Sequence, residues 1–217
     1  MSGRTHSNPF CTRFFQPGSI PFFFPPPASL DALVEKILGE ARHRLAIVGP
    51  HGSGKSTLLA HLLRNPALAA PACSTRHLLF QSRETHRHRW HASHRALQAF
   101  PPGHRRLLAV DGWEQLDPIL QWYIRVRAGT RRIAILATAH TLPRGFREIW
   151  RTHVDATVEQ HVLCHMLKDA PELGSTTVTH SEAWHRSRQC HGQNLRESLF
   201  DMYDWYRDQV DAPSASG

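Results

Sequence analysis

Nine consecutive residues, Gly49-Pro50-His51-Gly52-Ser53-Gly54-Lys55-Ser56-Thr57, have the types and spacing needed to hold a phosphate group. Glycines let the backbone curl so that successive N–H groups converge on an anion, and a following helix adds its positive N-terminal end. In such a cradle the Lys55 ammonium reaches the β- and γ-phosphates, and the Ser56 hydroxyl is a ligand for Mg²⁺. The apolar run Leu45–Val48 precedes the loop and Leu58–Leu63 follows it, the strand-to-helix setting that such a loop requires. A glycine-rich turn that binds nothing has no need of the lysine and hydroxyl in these places.

Two more apolar runs end in groups with chemistry. Leu107–Val110 leads into Asp111, with Glu114 three residues on. A buried parallel strand that delivers a carboxylate at its C-terminal end is the pattern of a Mg²⁺-holding aspartate, whereas a plain turn aspartate needs no such strand. Glu114 is the candidate base for orienting an attacking water; a surface glutamate in a first helical turn is the alternative. Ile133–Ala137 leads into Thr138 and His140, either of which could sense a γ-phosphate or merely satisfy a turn. Arg196, near the start of the last helix, is a candidate for stabilising transferred phosphoryl charge or a solvated surface arginine. No N-K-x-D-type segment is available to read guanine, so ATP is favoured over GTP.

The elements that must position these groups alternate. Helices are expected at about 30–41 (with Ser29 as N-cap), 55–64 and 114–127, and strands at 45–48, 77–80, 107–110, 133–140 and 152–154. Inward-facing positions of the third helix would be Leu116, Ile119, Leu120, Tyr123 and Ile124. This order predicts an α/β fold: a three-layer arrangement with a mainly parallel sheet, ligands at the carboxyl ends of its strands, and a small C-terminal helical annex. The expected organisation is a Phe/Pro-rich arm at 1–28 packed on the core, a nucleotide-binding core at 29–155, a helical lid at 156–210 and a frayed tail at 211–217. The lid reads as helices near 156–168, 180–190 and 193–209, the last facing inward with Leu195, Leu199, Met202, Tyr203 and Tyr206. Phe22–Phe24 would serve core packing or wall a base pocket.

Composition narrows the partners. The 217 residues carry a net charge of +8, almost all from arginine, because Lys36, Lys55 and Lys168 are the only lysines. That balance permits a nucleic-acid or acidic partner without requiring one. Thr85–His91 is a basic segment in which Trp90 offers a stacking surface, its plainer reading being a solvated loop or helix start. The four cysteines form no C-x-x-C pair; Cys164-His165 and Cys190-His191, with His161 and His185 near, match no standard zinc spacing. No apolar run is long enough to span a membrane, and prolines bracketing Phe22–Phe24 argue against a secretory signal, so a cytoplasmic protein is expected.

On these residues the chain resembles P-loop ATPases of the additional-strand, catalytic-glutamate class, near AAA+ and STAND proteins and small bacterial ATP-binding proteins. Gly49–Ser56 matches the Walker A motif, Leu107–Glu114 resembles a STAND-like Walker B, and Gly192–Glu197 is similar to the AAA+ sensor 2 region. The resemblance implies a Mg²⁺-dependent ATPase acting as a nucleotide-controlled switch with a protein partner, and places Arg196 in the sensor 2 role. Other functions fit the same residues: a small-molecule kinase with Arg144, Arg147 and Arg151 as a basic lid, a non-catalytic ATP-binding module, or a nucleic-acid-stimulated ATPase.

Overall fold

The computed structural model describes residues 8–11, 16–40, 43–69, 73–80, 85–100, 105–170 and 174–211. Phe14, Phe15 and residues 212–217 of the expected tail lie outside this set; Asp211 closes the last helix. The described residues form two compact units. One takes in Phe24–Gly49 and Leu58–Thr152, and the other Met1–Phe23, Pro50–Thr57 and His153–Gly217.

The first unit is built on five parallel strands: β1 (Arg44–Val48), β2 (Cys73–Leu79), β3 (Arg105–Asp111), β4 (Ala134–Ala139) and β5 (Arg147–Arg151). Their order in the sheet is β2-β3-β4-β1-β5, so β4 is an additional strand between the one that leads into the phosphate loop and the one that ends in Asp111. All six residues of β4 are buried, as are the last four of β1, the continuous apolar burial of strands covered on both faces. Helix α1 (Leu30–Gly39) precedes β1, and α2 (Lys55–Arg64), α3 (Pro66–Ala69), α4 (His86–Gln98) and α5 (Pro118–Thr130) connect β1 to β4. Ser29 caps α1 by accepting the Ala32 N–H, as its position predicts. Leu108, Ile135, Leu120 and Ile124 are fully buried at the centre, with the Trp113 and Phe146 rings 4.8 Å apart beside them.

Several boundaries differ from the sequence expectation, each for a physical reason. β2 starts at Cys73, earlier than 77, because all seven residues pair with β3 although Arg76, His77 and Leu79 face outward. The last strand is Arg147–Arg151 and not 152–154. Its alternation buries Ile149 alone, and charged residues flank it as on many edge strands. The helix expected from 114 begins at Pro118, capped by Asp117, whose carboxylate accepts the Leu120 N–H at 2.9 Å. Proline holds the preceding residue out of helical geometry and favours the first helical position, so Glu114 sits in a separate 3-10 turn, Trp113–Gln115. On α5, Ile119 faces outward at 68% exposure, contrary to the expected inward face.

The second unit contains α6 (Ala156–Met166), a 3-10 turn at Leu167–Asp169, α7 (Ser175–Thr179), α8 (Glu182–His191) and α9 (Leu195–Asp211). Asp155 and Ser181 cap α6 and α8 by accepting the N–H groups of Val158 and Trp184. The cluster of Leu163, Met166, Val178, Trp184, Leu199 and Met202 is closed by Phe10, which meets Tyr206 edge-on at 6.4 Å. Tyr203 lies outside this face and is exposed.

Candidate functional site

The carboxyl ends of β1, β3 and β4 bring together part of the expected chemistry. Asp111 and Thr138 are both buried. The Thr138 hydroxyl donates to Asp111 Oδ1 at 2.5 Å and accepts the Gly112 N–H at 2.8 Å. Thr138 thus fixes the carboxylate and the turn after it. Gly112 has φ +83°, a left-handed turn that a side chain would strain. Gly49 N–H, at the mouth of the phosphate loop, donates to Ala139 O at 3.2 Å. His77, one strand over, is exposed as a residue, but partial desolvation of its ring lowers its pKa from the usual imidazole value, opposed in part by the charge of Asp111.

Glu114 and His140 meet at the same edge, Oε1 to Nε2 at 2.8 Å, each about one-third exposed. The turn carrying Glu114 is pinned by groups that the sequence did not flag. Gln121 Nε2 donates to Trp113 O and Leu116 O, and Arg89 donates to Gln115 O. Arg89 belongs to the segment read as a solvated or phosphate-contacting stretch, yet it is buried on α4, whose N-cap is Thr85. Trp90 packs on Tyr123 with centroids 5.0 Å apart; the exposed aromatic of this region is Trp122 on α5. A glutamine three residues into a helix and an arginine four residues past a threonine carry no pattern that marks them as supports for a turn elsewhere.

The phosphate loop has its own surroundings in the helical unit. Gly52 and Gly54 take φ of +66° and +91°, which turns the loop back on itself. Lys55 Nζ and Ser53 Oγ both donate to Pro50 O, at 2.6 and 2.8 Å. A Cβ on Gly54 would lie 3.4 Å from the Phe22 ring, and one on Gly52 would strike Asn194 and approach Arg196 N at 3.1 Å. The arm and the head of α9 therefore line this loop, and Arg196 stands next to it with an exposed side chain. His51 is exposed; Ser56 and Thr57 are half-buried.

The remaining polar clusters are paired locally. Among the described residues no three His, Cys, Asp or Glu side chains converge on a point where a metal could sit. Cys164 bonds to Ser175, and His191 to Asp201. Arg147 pairs with Glu40 at 2.5 Å and Arg151 with Glu148.

No protein-family model matches the chain, and no curated protein matches it. Solved structures do. The chain is similar to a replication initiator DnaA bound to AMPPCP and single-stranded DNA, with 13% identity, a TM-score of 0.50 and 86% of this chain covered. A structure described as a DNA replication initiation factor matches with 15% identity, a TM-score of 0.51 and 87% coverage. This chain spans 66% of each of those chains. With the strand order above, the likeness defines the fold as that of the P-loop nucleoside triphosphatases. Among the described residues no helix is long and apolar enough to cross a membrane.

Proposed function

We propose that the chain is an AAA+-like, Mg²⁺-dependent ATPase that works as a nucleotide-controlled switch. One observation carries the reading: a complete G-x-x-x-x-G-K-S loop leaves β1, and a strand intervenes between β1 and the strand that ends in Asp111. In this reading the N–H groups of Gly49–Thr57 and the Lys55 ammonium hold the phosphates. Ser56 and Asp111 would hold the magnesium ion, which when bound would neutralise phosphate charge. Glu114 orients the attacking water, with His140 as its partner. Thr138 positions Asp111, and Arg196 offers charge to the terminal phosphate. The likeness to an initiator solved with an ATP analogue supports the choice of nucleotide.

The test is ATP turnover with and without added acceptors. Phosphate release without an acceptor supports the switch; ADP formed only with an acceptor assigns a kinase. Lys55→Ala is expected to weaken ATP binding by about 100-fold, since it removes a charge-assisted contact together with the positive charge that faces the phosphates. Unchanged ATP affinity in that variant would sink the reading.

A second reading is that single-stranded nucleic acid controls this ATPase. The packed pair α4 and α5 carries the arginines Arg87, Arg95, Arg125 and Arg127 besides the buried Arg89, and not one acidic residue. Trp122 stands 59% exposed on the same pair, an available stacking surface beside positive charge. A DnaA structure that matches this fold holds single-stranded DNA. Turnover that rises with a poly-dT oligonucleotide in the wild type and not in Trp122→Ala would select this reading.

A further inference from the structure

The head of α9 carries a polar group placed at a cost, and nothing in the chemistry above uses it. Asn194 stands at the N-cap position before Leu195. An asparagine there ordinarily turns its side-chain oxygen to a free N–H of the first turn. Asn194 Oδ1 instead is buried and, among the described residues, has no hydrogen-bond partner. It is pressed onto the phosphate loop: a Cβ on Gly52 would lie 1.9 Å from Oδ1 and 2.9 Å from Cγ. Only glycine at 52 admits this approach. The same turn is tied down on its other side, where Gln193 Oε1 accepts the Val154 N–H at 2.9 Å and Asn194 N–H donates to His191 O at 2.9 Å.

We infer that Asn194 is a positioning residue, a latch that couples the shape of the phosphate loop to the head of α9; the inference rests on reading that loop as the nucleotide site. Two arrangements compete. In the latched one Oδ1 sits on Gly52 without a donor, and Lys55 and Ser53 hold Pro50 O. In the other, Oδ1 swings back to cap α9 and leaves Gly52 and Arg196 free to move. A buried acceptor without a donor is unfavourable, so the latched form lasts only while the loop keeps its own internal bonds. A phosphate that draws Lys55 and the loop N–H groups to itself reshapes the loop, and Asn194 gains its cap in exchange. Arg196, two residues further on, shifts with it. Linkage makes the coupling reciprocal: whatever favours the capped form of α9 also favours phosphate in the loop.

Amide hydrogen exchange on the full chain tests this, comparing wild type with Asn194→Ala and Asn194→Ser, with and without Mg-AMPPNP. Without nucleotide, both variants should speed exchange at Gly52–Lys55 by about fivefold or more, the lower end of ordinary coupling between sites. Serine can cap α9 but is one atom too short to press on Gly52. Asn194→Ser should therefore protect residues 195–198 while the loop stays fast. Loop exchange at the wild-type rate in both variants overturns the latch. So does recovery of loop and helix together in Asn194→Ser, which would make Asn194 a plain cap. These two results are read without nucleotide, so failure of AMPPNP to bind wild type would remove the nucleotide reading and still leave the latch decided.

Discussion

The sheet unit and the helical unit treat their polar groups in opposite ways. At the end of β3, Asp111, Thr138 and Gly112 satisfy one another across neighbouring strands, and almost nothing there is exposed. In the phosphate loop, Lys55 and Ser53 donate to the loop's own Pro50 carbonyl, and Asn194 Oδ1 has no hydrogen-bond partner among the described residues. The first set is preorganised: it can hold a ligand without rearranging, which is the cheap way to place charge. The second must exchange internal bonds for bonds to a ligand. By this contrast, preorganisation belongs to the sheet edge and adaptability to the loop.

The largest test of that division concerns Glu114. Glu114→Gln should keep ATP affinity and lower turnover by about 100-fold or more, the usual weight of a general base. Steady-state phosphate release with a parallel binding titration checks it; lost binding would assign Glu114 to the metal or to structure. Phe10→Ala probes the helical unit alone. Removing a fully buried ring should destabilise that unit by about 3–5 kcal/mol, seen by calorimetry as a transition that shifts before that of the sheet unit. A single transition shifting as a whole would make the two units one cooperative body.

A smaller effect is expected from Thr138→Val, which keeps the shape and removes the hydroxyl. Two buried groups lose their partner, so stability should fall by about 1–3 kcal/mol in chemical denaturation, and half-maximal turnover should need more Mg²⁺. An unchanged Mg²⁺ requirement would show that Asp111 holds its position without Thr138. The smallest effect belongs to the cap of α6. The Val158 N–H bond holds the Asp155 carboxyl below its usual range, against a smaller opposing effect of burial. A carboxyl with a lowered folded value contributes stability above its unfolded value and loses it as pH falls through the folded one. Acid titration to below pH 4 should thus unravel the start of α6, and Asp155→Ala should cost about 1 kcal/mol at neutral pH; equal acid sensitivity in that variant would assign the effect elsewhere.

How much was legible in the chain follows from the range of each interaction. Buried parallel strands write themselves as apolar runs, and a phosphate loop must place its glycines, lysine and hydroxyl within eight residues. Hence β1, β3, β4, the loop and Asp111 could be read directly. β5 could not, because an edge strand with one buried residue leaves the alternation Arg-Glu-Ile-Trp-Arg, which reads as surface. Arg89 misled for the converse reason. It lies among exposed basic residues in sequence, and only the packing of α4 shows that it is buried and bonded to Gln115 O.

The sequence by itself determined the phosphate cradle, the carboxylate at a strand end and the alternation of strands with helices, since each depends on neighbours a few residues apart. Only the tertiary structure decided that Thr138 serves Asp111, that Glu114 rides a 3-10 turn facing His140, and that Asn194 rests on Gly52. Those contacts join residues 27, 26 and 142 positions apart. No local pattern encodes partners at such separations; they exist because strands from distant segments lie side by side and because one glycine leaves room for an asparagine.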